Sequence, residues 1–170
     1  VRGLAARIYL ACRGLTSAFA ATPNSPRRGH LRRPCLADWT PMIVRTLASI
    51  LNTAAHVKGE SFESRRILLA ADGLGYSLHD TLCKAGTEQQ LEYKNHVETN
   101  YVIEGQGEVV NVATRQTWPL GPGTVYVLDH HEAHLLRATT DMRIICVFTP
   151  ALTGQEKHDA SGSYPAPSGY

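Results

Sequence analysis

The chain has 170 residues, 43% of them hydrophobic, with fourteen glycines and a formal charge of +2; this supplies the core of one globular domain and too little net charge to mark a nucleic-acid binder. Residues 1–41 hold seven arginines against Asp38 alone, which leaves ten basic and fourteen acidic side chains in a mildly acidic body. Four cysteines, at 12, 35, 83 and 146, show no Cys-x-x-Cys spacing, so neither a disulfide framework nor a zinc knuckle is indicated and a reducing cytoplasm is the expected setting.

Residues 1–41 are rich in Arg, Ala, Ser and Pro and contain no apolar run long enough for a signal-peptide core or a membrane helix. A disordered or non-native N-terminal extension is expected there, with an organellar transit peptide as the alternative. From Met42 the pattern changes. Ile43, Leu47, Ile50 and Leu51 fall at i, i+4, i+7 and i+8, which predicts a short amphipathic helix. Short runs rich in β-branched and aromatic residues follow at 66–69, 75–83, 87–93, 100–103, 107–112, 123–128, 134–138 and 142–148, bounded by turn material such as Asp72-Gly73 and Gly121-Pro122-Gly123. Many short strands without intervening helices predict an all-β domain, an antiparallel β-barrel or jelly roll over residues 42–150. Residues 151–170, rich in Pro, Gly and Ser, are expected to form a mobile covering segment or a disordered tail.

Two segments carry the chemistry: Glu98-Thr-Asn-Tyr-Val-Ile-Glu-Gly105 and Gly123-Thr-Val-Tyr-Val-Leu-Asp-His-His-Glu-Ala-His134. They resemble the two signature segments of a cupin barrel, G-x5-H-x-H-x3-4-E-x6-G and G-x5-P-x-G-x2-H-x3-N. Counting from Gly86, the positions of the two metal-binding histidines hold Glu92 and Lys94, whereas Glu98 and His134 stand in register. The usual three-histidine site is therefore absent. Tyr126 lies in the strand before His134, and strand alternation lets both face the lumen with Glu98. Glu98, Tyr126 and His134 form a candidate metal triad, with Tyr126 as an ordinary core tyrosine the competing reading. This O/O/N donor set suits iron, as Fe(II), better than calcium or magnesium, and zinc satisfies it by ligand type too. His130 and His131 are expected to be exposed, as are His56 and His96.

A closer resemblance rests on Met42-Ile-Val-Arg, Ser64-Arg-Arg-Ile-Leu-Leu, Asp72-Gly-Leu-Gly-Tyr-Ser, Ala85-Gly-Thr-Glu, Tyr93-Lys-Asn-His-Val-Glu98, Tyr101-Val-Ile-Glu-Gly-Gln-Gly-Glu, Pro122-Gly-Thr-Val-Tyr-Val-Leu-Asp and Cys146-Val-Phe-Thr-Pro-Ala-Leu-Thr-Gly-Gln-Glu-Lys-His-Asp. From Met42 to about Tyr164 the chain is similar to the ectoine synthase family. The resemblance implies a homodimeric, iron-dependent cupin hydro-lyase that closes N-gamma-acetyl-L-2,4-diaminobutyrate into ectoine, a compatible solute, with loss of water. It places the metal ligands on Glu98, Tyr126 and His134, and the substrate-lining and catalytic positions on Phe62, Arg66, His79, Thr81, Tyr93, Cys146, Phe148, Glu156 and His158. Phe62 stands where the family usually has tryptophan, which keeps an aromatic face and removes an N–H donor.

These side chains have fitting chemistry. Arg66 offers a fork for the substrate carboxylate, and Arg65 beside it points the other way, to the surface. Glu156 and His158 offer proton transfer. Cys146 with Phe148, and His79 with Thr81, share strand faces at i and i+2. Two other classes remain: a non-catalytic cupin module that binds a small molecule, and an iron cupin dioxygenase, whose two-histidine, one-carboxylate set Glu92 and Lys94 fail to complete. No nucleic acid or membrane partner is expected.

Overall fold

A computed structural model describes residues 42–167; the extension expected over residues 1–41 lies outside the described residues. Ten short strands carry nearly all the regular structure: β1 (His56–Lys58), β2 (Phe62–Leu68), β3 (Ser77–Cys83), β4 (Glu88–Leu91), β5 (Val97–Glu104), β6 (Gly107–Asn111), β7 (Thr117–Leu120), β8 (Val125–Leu128), β9 (His134–Ala138) and β10 (Met142–Thr149). They form a six-stranded sheet in the order β1-β2-β3-β10-β5-β8 and a four-stranded sheet in the order β4-β9-β6-β7, with every pairing antiparallel. This is the antiparallel barrel that the signature segments imply.

Alternation sorts the strand residues between core and surface. Along β10, Met142, Ile144, Cys146 and Phe148 are buried while the residues between them are not. They join Val102 of β5, Val109 of β6 and Leu136 and Ala138 of β9 in one core between the two sheets. Gly105, which ends the first signature segment, has φ +81°, and a Cβ there would strike the backbone carbonyl of Asp141; only glycine fits this turn.

Three local features depart from the pattern. The short N-terminal helix is a single 3-10 turn, Leu47–Ser49, entered at Thr46, whose side chain accepts from Ser49 N. Ile50 is buried, but Ile43 and Leu51 are exposed. β-branched Ile43, Val44 and Thr46 are weak helix formers, and Asn52 at φ 60° stops the turn. β1 and β7 escape the sequence pattern because both are short edge strands. β7 even contains Pro119, tolerated because that strand pairs only with β6. Arg65, expected at the surface, is buried with its guanidinium on Asp80, which also binds Arg143.

After β10 the described residues form no strand, yet Ala151, Leu152, Ser163 and Tyr164 are buried. Specific bonds fasten this tail: Leu152 N to Ser77 Oγ at 3.1 Å, Asn95 Nδ2 to Tyr164 O at 2.9 Å and Lys94 N to Ser163 Oγ at 3.1 Å. His96, expected at the surface, lies beneath it at 2% exposure and donates from Nδ1 to Pro150 O. Among the described residues, no helix is long and apolar enough to cross a membrane.

Candidate active site

Strand register builds the site as rows of inward-facing residues. One row crosses the six-stranded sheet from Tyr126 through Asn100, Cys146 and His79 to Arg66, each directly opposite the next. The adjacent row runs from Leu128 through Glu98 and Phe148 to Ser77, and a third places Ile144, Thr81 and Ser64 side by side. His134 enters from the other sheet, at the start of β9.

These rows line one cavity. Phe62, His79, Thr81, Tyr93, Glu98, Tyr126, Cys146, Phe148 and His158 all border it. His134 lies just beyond, its ring centroid 6.5 Å from that of Tyr126 and 6.4 Å from that of Tyr93. Arg66 and Glu156 are not part of the lining. Arg66 spends its fork on the tail, donating from Nη1 to Gly154 O at 2.6 Å and from Nη2 to Glu156 O at 3.0 Å. The Glu156 carboxylate accepts from Thr153 N, Thr153 Oγ1 and Gly154 N, closing its own turn 3.9 Å from Arg66.

Burial dominates the electrostatics. The Glu98 carboxyl is pushed up to about 7 by desolvation, which the neighbouring Asn100 and Cys146 only partly offset. Burial holds the phenols of Tyr93 and Tyr126 well above their ordinary range, with the Glu98 charge adding to it, so both are protonated at neutral pH in the metal-free protein. Burial first, and the positive Arg66 second, lower His79 to about 3 and His158 to about 4. Both imidazoles are therefore neutral. The protonated Tyr93 hydroxyl donates to His158 Nε2 at 3.1 Å, which leaves the ring proton of His158 on Nδ1.

The donor set fits a metal. His134 donates from Nδ1 to Glu132 O at 3.1 Å, leaving a buried Nε2 with no partner among the described residues. A backbone carbonyl orienting the far nitrogen is the usual support for a ligating histidine. Glu98 is a buried carboxylate, and a bound cation would supply the countercharge that burial removes. The other His/acid cluster among the described residues, Asp129, His130 and Glu132, is mostly exposed, as expected for His130. His131 is exposed too, although its Nδ1 donates to Tyr93 O at 2.7 Å.

The sequence reading missed four polar or aromatic members of the lining: Ser64, Gln89, Asn100 and Tyr164. Parity would have found Asn100, two residues from Glu98 on the same strand face. Tyr164 carries no such signal. It stacks on His158 at 4.4 Å and on Tyr93 at 5.2 Å between centroids, and the Arg66 guanidinium lies 5.9 Å from its ring.

The chain is similar to known proteins along nearly all of the described residues. The family model described as ectoine synthase matches residues 42–168. The chain is 52% identical over 124 residues to the L-ectoine synthase of Halalkalibacterium halodurans, covering 73% of this chain and 96% of that one. It is 53% identical over 124 residues to that of Oceanobacillus iheyensis, covering 73% and 97%. The crystal structure of ectoine synthase from P. lautus superposes with a TM-score of 0.67 at 48% identity, covering 76% of this chain and 96% of that chain. The chain belongs to the ectoine synthase family.

Proposed function

We propose that the protein closes N-gamma-acetyl-L-2,4-diaminobutyrate into ectoine with loss of water, and that the Tyr93–His158 pair moves the protons. The carrying observation is that pair itself, hydrogen-bonded at 3.1 Å inside the cavity that also holds Glu98, Tyr126 and Cys146. The substrate's α-amine must add to its own acetamide carbonyl, forming one C–N bond. The carbonyl oxygen then leaves as water, so nitrogen gives up two protons and oxygen gains two. Neutral His158 is a competent acceptor for the first when Tyr93 relays it, passing its own hydroxyl proton to Nε2 as it takes one from nitrogen, and the Tyr93 hydroxyl is then a competent donor toward the departing oxygen. The enclosing aromatic rings of Phe62, Tyr93, Phe148 and Tyr164 exclude water and hold a flexible chain folded, which raises the effective concentration of amine at carbonyl. The Arg66 charge, felt at both His79 and His158, favours the substrate carboxylate at that end, although its Nη donors are already spent on the tail.

Glu98, Tyr126 and His134 would hold the metal, with Fe(II) favoured by the mixed donor set and zinc accommodated by ligand type. When bound, the metal supplies a Lewis acid for the acyl oxygen. A homodimer belongs to the same reading. Among the described residues β8 ends its sheet and bears exposed Val125 and Val127, and Met42 and Val44 are exposed as well; apolar edges of this kind are normally covered. A cytoplasmic setting keeps Cys83 and Cys146 as the free thiols seen here.

The test is incubation of the iron-loaded protein with the acetylated diamino acid, with ectoine followed by chromatography. Product above the no-enzyme control is expected. Tight substrate binding without product would favour a non-catalytic binding module, a reading that the enclosed Tyr93–His158 pair disfavours.

A further inference from the structure

We infer that Asn100 is a catalytic hydrogen-bond donor to the oxygen that leaves the acyl carbon. This rests on the cyclisation proposed above and assigns a role to a residue outside the expected site.

Five buried side-chain nitrogens among the described residues have no hydrogen-bond partner: Arg66 Nε, His79 Nε2, Gln89 Nε2, Asn100 Nδ2 and His134 Nε2. A buried donor left unpaired costs free energy, so such groups call for a reason. Arg66, His79 and His134 already have expected roles. Gln89 is only partly buried. Asn100 is 1% exposed, borders the cavity, has no partner for Nδ2 within hydrogen-bond distance although it lies close enough to lower the pKa of the Glu98 carboxyl, and has no assigned role.

Its position narrows the role. Asn100 faces Tyr126 on one side and Cys146 on the other in strand register, and follows Glu98 by two residues on the same face of β5. The amide therefore stands between two members of the metal triad and the pocket thiol. Addition of the amine to the acetyl carbon drives the carbonyl π electrons onto oxygen. That oxygen collects two protons from the Tyr93–His158 side and departs as the C–O bond breaks and the C–N double bond of the amidine forms. Asn100 gives up no proton in this sequence. Its N–H stabilises the charge that grows on oxygen, where a fixed side-chain amide in a water-poor cavity is most effective. Before substrate binds, that N–H has no acceptor within hydrogen-bond distance, and the Glu98 carboxyl, whose pKa the amide lowers, is the acceptor it would otherwise turn to.

Asn100→Leu removes the amide and keeps the shape. In the iron-loaded enzyme kcat is expected to fall by about 10²–10³-fold, the usual effect of losing one such donor, with KM changed by no more than about threefold. Iron per chain should be unchanged, and the melting temperature unchanged or raised, because an unpaired buried donor is gone. An unaltered kcat would overturn the proposal. Loss of iron from the variant would overturn it too, making Asn100 a positioning residue for Glu98. Should Asn100→Leu fail to fold, Asn100→Ala is read by the same measures. The parent enzyme is the control: no ectoine from it would sink the cyclisation reading, whereas an active parent with an equally active variant sinks only the role of Asn100.

Discussion

The imidazole of His158 lies flat on the ring of Tyr164, centroids 4.4 Å apart and planes 14° apart. Its Nε2 simultaneously accepts the Tyr93 hydroxyl. Stacking orients the ring and the hydrogen bond fixes its tautomer, so a residue in a tail without strands is seated against residues of the barrel core. Tyr93→Phe should keep the packing against Phe148 and Tyr164 while removing that hydrogen bond. A loss of about 10²–10⁴ in kcat is expected, with iron content and melting temperature near those of the parent. Steady-state kinetics beside metal analysis checks this, and full activity would take Tyr93 out of the proton path.

Tyr164 itself is 4% exposed and belongs to the core. Tyr164→Ala should therefore destabilise the protein by about 3 kcal/mol, as for other large aromatic truncations, and lower activity through the loosened His158. Denaturant unfolding of the metal-free protein measures the first effect. A change well under about 1 kcal/mol would mean that the tail merely rests on the barrel.

Much of this was legible in the chain, and the boundary has physical causes. Glu98, Tyr126, His79, Thr81, Cys146 and Phe148 converge because strand alternation puts each on the lumen face, a rule that works residue by residue. Arg66 shows where local rules stop: its side chain bonds carbonyls 88 and 90 residues away, a pairing no spacing announces. Tyr164 and His96 are buried only because the tail and the β4–β5 connection cover each other, and neither segment has a period to read. Proline in β7 hid a strand whose edge position makes that proline harmless.

Each metal ligand sits on a strand of a preformed barrel, so removing one should not unfold the protein. Glu98→Ala, Tyr126→Ala and His134→Ala are each expected to retain the β-sheet circular dichroism spectrum and to lose iron and cyclisation together. Stoichiometric iron in Tyr126→Ala would take the phenolate out of the ligand set while leaving Glu98 and His134 in place.

His79 gives the pH prediction. Its folded pKa is about 3 against an ordinary 6.5, because burial and then Arg66 disfavour the imidazolium. Between those values the unfolded chain binds a proton that the folded chain refuses, so stability is lost as pH falls from 6.5 toward 3 and is unaffected above that window. His158, lowered to about 4, acts in the same direction. Glu98, raised from 4.5 to about 7, acts oppositely, since the folded state holds its proton longer. A comparison with His79→Asn cancels the two groups common to both proteins. In metal-free samples the parent should lose stability relative to the variant by about 1 kcal/mol per pH unit on going from pH 6.5 to pH 4.5, with no divergence between pH 7 and 8. Parallel curves across the acid range would mean that the His79 ring is hydrated or protonated in the folded state, and that the neutral, water-poor wall assigned to this side of the cavity is wrong.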